Sequence, residues 1–134
     1  MVKPVFDDLT DEEVLASATE AAAAGLDAVR LAAADRLVQG PAAGLGDPAA
    51  VVQLLMTRDV RDPRWERLAP FEQRWAALVV RITAVAGMDP VAAVADARRR
   101  DVSWAALATA LGVTAQSAHR RFADRVRSMA SATD

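Results

Sequence analysis

The sequence predicts an all-α protein, a helical bundle closed by three C-terminal helices. Three observations carry this. No segment shows the sustained alternation of β-branched residues that a strand needs, and no hairpin signal stands out. Helix-start signals recur instead. Thr10-Asp11-Glu12-Glu13 has the form of a capping box, and Asp47-Pro48 and Asp89-Pro90 each set a capping carboxylate before a proline shaped for the first helical turn. Apolar residues also return at helical spacing, most strongly in Phe71, Trp75, Leu78, Ile82 and Val85.

Taken in order, the capping box opens a helix expected to reach Ala24. Gly25 is expected to bend or break the chain before a second helix from Asp27 to Val38. Gly40-Pro41, Gly44 and Gly46 make a connecting loop. The helix begun by Pro48 carries Val51, Val52, Leu54, Leu55 and Met56. Thr57–Leu68 is charged and contains Pro63, so it reads as a loop with a short turn holding Trp65. From Pro70 to Ala86 the stripe is widened by Ala76, Ala77, Val79, Val80 and Ala84, until the helix is apolar most of the way round. That pattern marks a central, buried helix, with a dimerising coiled-coil seam as the other use of such a stripe. Gly87 suits its C-terminus. Further helices are expected from Pro90 to Arg100, from Trp104 to Leu111 with Ser103 as cap, and from Ala115 to Met129 with Thr114 as cap, ending in a frayed tail.

The 134 residues are 53% hydrophobic and 25% charged, which suits one soluble globular domain with at most a small extension. Alanine supplies much of the apolar content and buries little area, so the Leu, Val, Trp and Phe positions must carry the core. Without cysteine there is no disulfide framework or thiolate metal site, and the single histidine has no partner for a metal. Asp7-Asp8 and Asp11-Glu12-Glu13 gather acid, which helix capping explains better than a cation site. No signal sequence or membrane-length apolar run is found, so a soluble, cytoplasmic protein is expected. No Gly-rich phosphate loop and no nucleophile–histidine pairing point to an enzyme, and no cofactor is expected. The net charge of -2 hides an asymmetry. Residues 1–50 carry nine acids and three basic residues, whereas residues 90–134 carry seven arginines and four acids. Only the C-terminal third suits a phosphate backbone. Fifteen arginines against one lysine, with abundant alanine, fit a GC-rich bacterial genome.

The segment SWAALATALGVTAQSAHRRF, Ser103 to Phe122, has the parts of a helix-turn-helix. Ala108 is the small residue that lets two helices cross closely. Gly112 supplies a turn position that tolerates positive φ. Val113 plugs the corner and Thr114 caps the second helix. Ala115, Ala118, Phe122, Val126 and Met129 form the inner stripe of that helix. Leu107 and Leu111 pack from the first, and Val91, Val94 and Ala95 from the preceding helix complete a trihelical core. The pattern A-x-x-x-G-V-[ST]-x-Q-[ST]-x-x-R resembles the helix-turn-helix of bacterial transcriptional regulators, the LacI-type repressors in particular. The resemblance covers the last third of the chain. It departs at Ala118, where valine or isoleucine is common, and at Ala115, where a base-contacting side chain is frequent.

Gln116 and Arg120 lie four apart, so they project from one side of the last helix. Glutamine matches adenine N6/N7 and arginine matches guanine O6/N7. The resemblance makes these two the leading base readers, with His119 beside them. Ser117, Arg121, Arg125 and the caps Ser103 and Thr114 are the expected phosphate contacts. Arg98-Arg99-Arg100 is expected to complement a helix C-terminus, and Trp104 to anchor the core. The expected division is a helical region over 1–88, for dimerisation or partner binding, and a helix-turn-helix region over 89–134. The expected function is a sequence-specific transcriptional regulator binding double-stranded DNA as a homodimer, since one such unit reads only a few base pairs. Val14, Ala18 and Ala22, with Leu26, Val29 and Val38, are the candidate dimer residues. The alternative is an interaction protein that uses the same fold to bind a polymerase or sigma subunit, with the acidic N-terminal half in contact.

Overall fold

The computed structural model describes residues 8–133, so Asp7 of the acidic cluster lies outside it. Among the described residues the chain is helical throughout, with no strand: α1 (Asp11–Val38), α2 (Pro48–Thr57), α3 (Trp65–Leu68), α4 (Glu72–Val85), α5 (Val91–Arg99), α6 (Trp104–Leu111) and α7 (Ala115–Thr133). The expected end of the last helix at Met129 is thus short by one turn.

Thr10 opens α1 as its sequence requires, its Oγ1 accepting from the Glu13 amide at 3.1 Å. The helix does not stop at Gly25. It runs unbroken for 28 residues, about 42 Å at the standard rise. Gly25 serves close packing instead: a Cβ there would lie 2.7 Å from the Met88 Cε, on the turn between α4 and α5. Only the second half of α1 joins the core, through Val29, Ala33, Ala34 and Leu37. Every residue from Asp8 to Ala24 is exposed.

Asp47 caps α2, accepting from the Ala50 amide at 2.8 Å, and Val51, Leu54 and Leu55 face inward. A 3-10 turn, Ala69–Phe71, leads into α4. The buried face of α4 is Trp75, Ala76, Val79, Val80 and Thr83, rotated from the expected Leu78–Ile82–Val85 line. Leu78 and Ile82 are half-buried and Val85 is 81% exposed. The reason is that α1, α5 and α6 all pack on α4 and together cover the side that carries Trp75, Val79, Val80 and Thr83, leaving Val85 outside. Trp75 ties α4 to α1, its indole N–H donating to the Arg30 carbonyl at 3.3 Å.

Helix α7 packs on α5 and α6, and both of these also pack on α4. Helices α5 and α6 therefore each bridge α4 and α7. One apolar cluster runs from Val29 in α1 to Phe122 in α7, with no break at residue 89.

Arg100, expected with its two neighbours to complement a helix C-terminus, is instead buried. It is 5% exposed and sits where α2, α4 and α5 meet. Its Nη1 donates to the Leu55 carbonyl at 2.8 Å and to Glu72 Oε2 at 2.7 Å, and its Nε donates to Asp96 Oδ2 at 2.9 Å. The guanidinium lies 5.0 Å from the Trp75 ring centroid. Glu72 is shared with Arg58, at 2.7 Å. A charge this buried persists because its donors are matched by carboxylates and a carbonyl.

Candidate nucleic-acid interface

The turn between α6 and α7 is built from short-range chemistry. Gly112 adopts φ 72° and ψ 31°, and the Val113 amide closes on the Ala108 carbonyl at 3.0 Å. That left-handed closure redirects the chain at little steric cost because glycine has no Cβ. Ser103 Oγ accepts from the Ala106 amide and Thr114 Oγ1 from the Ser117 amide, both at 3.1 Å. Each hydroxyl proton stays free to donate outward.

The inner face of α7 holds it in place. Ala118, Phe122 and Ala123 are buried, and Val126 and Met129 are half-buried. Ala115, expected on this stripe, is exposed, and Ala123 takes its part. Ala118 is fully buried, so a small residue fills the crossing where a larger one was the familiar choice.

The outer face carries Gln116, Arg120 and Arg121, all exposed. Neither arginine has a carboxylate partner among the described residues. Ser117 is half-buried beside them.

His119 is exposed as well, and it makes a contact of its own. Its ring meets Trp104 edge to face, with centroids 5.2 Å apart and planes at 73°. The Arg98 guanidinium covers the same indole at 5.1 Å, while its Nη1 donates to the Val102 carbonyl at 2.8 Å. Trp104 is half-buried and links α5, α6 and α7 through these contacts. With Arg99 and Arg127 these side chains line a recess of about 370 Å³ between α5 and α7. Arg127 pairs with Asp124, and Arg99 reaches Asp96 at 3.5 Å.

Arg125 is also engaged. It binds Asp89 at 2.6 Å, joining α7 to the chain just before α5. The Arg125 hydrogen bond holds the Asp89 carboxyl below the usual aspartate range. Of the expected contact residues, then, Gln116, Arg120, Arg121 and Ser117 share one open surface near the start of α7, and His119 and Arg125 are held by neighbours.

Two further cations lie beside α6, and sequence reading did not single them out. Arg74 of α4 lines a shallow recess with Ser103, beside the start of α6, and Arg81 lines another with Thr109 and Gly112. Neither has a carboxylate partner among the described residues. Both lie on a helix whose sequence advertises only its core, and their placement depends on α4 packing against α6. Comparison with family models, with curated proteins and with solved structures finds no match to this chain.

Proposed function

We propose that this protein is a sequence-specific DNA-binding transcriptional regulator, acting in the cytoplasm as a homodimer, with the first half of α7 entering the major groove. One observation carries the reading: Gln116, Arg120 and Arg121 stand exposed and unneutralised on a helix whose opposite face is sealed into the core. Gln116 and Arg120 offer the two side-chain types that make bidentate contacts to purine edges. Arg121 and Ser117 beside them, and the exposed caps Ser103 and Thr114, suit phosphate oxygens. The acidic exposed half of α1 would be repelled by a duplex and is assigned to the side away from it.

The test is titration with duplexes selected from a random pool, at two salt concentrations. Affinity should fall steeply as salt rises, because phosphate neutralisation releases counterions. Arg120→Ala should cost about 1–3 kcal/mol at the selected site and relax preference at one base pair. Equal losses on selected and random duplexes would refute base reading by Arg120. No salt-dependent binding at all would favour the protein-partner reading, for which the exposed acidic arm of α1 is the supporting observation.

A further inference from the structure

The recess between α5 and α7 combines an apolar wall with an excess of positive charge, and the proposed base contacts use neither. Ala95 and Ala123, both buried, form the wall with half-buried Val126 and Trp104. Its polar lining is Arg98, Arg99, Arg127 and His119, and among the described residues no carboxylate lines it. Two carboxylates stand close by. Asp124 pairs with Arg127 three residues along the same helix, where both side chains are well exposed. Asp96 is held by Arg100 at 2.9 Å, so its contact with Arg99, at 3.5 Å, is the weaker one. Setting Arg100 against Asp96 and Arg127 against Asp124 leaves Arg98 and Arg99 as positive charges without a matching acid. Arg98 uses Nη1 on the Val102 carbonyl, and its other N–H groups make no hydrogen bond among the described residues.

We propose that this recess binds a small organic anion, a monocarboxylate carrying a single ring. Charge selects an anion, and a guanidinium can donate to both oxygens of a carboxylate at once. The wall selects an organic one. Alanine, valine and indole surface offers nothing to a bare phosphate, whereas it takes the apolar body of a carboxylate out of water. A duplex would present phosphates on a convex backbone and leave that wall wet. Size sets the limit: about 370 Å³ is at the small end of ligand sites, with room for one ring and its acid group. The wall is also fixed in advance. Arg98 covers the indole at 5.1 Å and His119 meets it edge-on at 5.2 Å, so little ordering is left for the ligand to impose. None of this needs a duplex, so the site stands or falls apart from the DNA-binding reading.

His119 is the single histidine of the chain, so its ring-proton resonances report on the recess without ambiguity. Titrating the full chain with phenylacetate should move them along a saturable curve with a Kd of about 1 mM or lower. Phenylacetamide keeps the ring and loses the charge, while acetate and inorganic phosphate keep charge and lose the ring; each should bind at least about tenfold more weakly. Arg99→Gln with Arg127→Gln should weaken phenylacetate by about tenfold or more at unchanged helix content, since both side chains are more than half exposed. Arg99→Lys, which keeps the charge and loses the two-pronged donor, should fall between. Removing the same charge outside the recess, with Arg36→Gln and Arg61→Gln, should leave the affinity as it was. No saturable shift, or an equal loss from the outside pair, overturns the proposal. Tighter binding of inorganic phosphate than of phenylacetate overturns the organic class and assigns the recess to a phosphate group.

Discussion

Two turns in this protein share one plan in different materials. Residues 97–103 read A-R-R-R-D-V-S and residues 108–114 read A-T-A-L-G-V-T. Each ends a helix with a residue at positive φ, Asp101 at 67° and Gly112 at 72°. In each, the next residue is a valine whose amide closes on the alanine carbonyl at 3.0 Å, and a hydroxyl residue then caps the next helix. Glycine takes the left-handed conformation freely, whereas aspartate resists it by about 1 kcal/mol. The first turn is therefore held from outside. Gln73 Nε2 donates to the Arg100 carbonyl at 3.1 Å and to the Asp101 carbonyl at 3.4 Å, and Arg98 grips the Val102 carbonyl. Among the described residues no side chain bonds the backbone of the second turn in this way. A turn made of glycine is local chemistry, and a turn made of aspartate depends on distant parts of the fold.

The largest expected effect comes from removing the buried arginine that the first turn carries. Arg100→Ala leaves Glu72 with Arg58 and Asp96 with the longer contact to Arg99, and removes the bond to Leu55. Removing one partner from a buried ion network costs about 3–5 kcal/mol. Urea denaturation should register most of it, and a loss under about 1 kcal/mol would mean that the carboxylates find water instead.

The second turn should break more gently. A Cβ at Gly112 meets nothing within 4 Å, so the cost of Gly112→Val is mainly conformational strain. A β-branched residue held at positive φ costs about 1–3 kcal/mol. An unchanged melting temperature would show that the chain can re-form this turn another way.

The same contrast explains what the sequence disclosed. Gly112, Val113 and the caps Thr10, Asp47, Ser103 and Thr114 act within five residues of themselves, so spacing alone revealed them. The outward side of α7 was legible from periodicity, and Gln116 and Arg120 lie exposed as expected. What stayed hidden depends on partners far along the chain. Gly25 looked like a breaker because Met88, which needs its missing side chain, comes from a distant turn of the chain. Arg100 sat in a run of three arginines, and nothing local told it from its neighbours. The buried face of α4 was misjudged by about one residue because that helix is apolar nearly all round, so its partners choose the face. The contact of the exposed His119 with Trp104 was hidden too, because it joins α7 to α6.

Converting one turn into the other sharpens the comparison. Asp101→Gly should stabilise the protein, by no more than about 1 kcal/mol, since relief of left-handed strain is offset by the freer unfolded chain. With Gln73→Ala in the background the gain should grow, because the turn then lacks its clamp, and a double-mutant cycle measures that difference. Strict additivity would show that Gln73 does not brace Asp101.

The smallest effect lies beyond the second turn, in the far half of α7. Past Phe122, that helix is tied to the chain ahead of the first turn by Arg125 and Asp89. Both side chains are more than half exposed, so the pair contributes about 0.5 kcal/mol or less. Its pH dependence has a definite sign. Asp89 titrates lower in the folded protein than in the unfolded chain, so its contribution is complete above the ordinary aspartate value near 4 and is lost as pH falls below it. Asp62, lowered to about 2 by its hydrogen bond to Arg64, weakens the fold over the same acid range. Comparing the parent chain with Arg125→Ala cancels that background. The stability gap should hold from pH 7 to about 5 and close toward pH 2–3. A gap independent of pH would mean that Arg125 stabilises α7 by packing or helix dipole, and that Asp89 serves only the amide of Val91, from which it accepts at 3.1 Å.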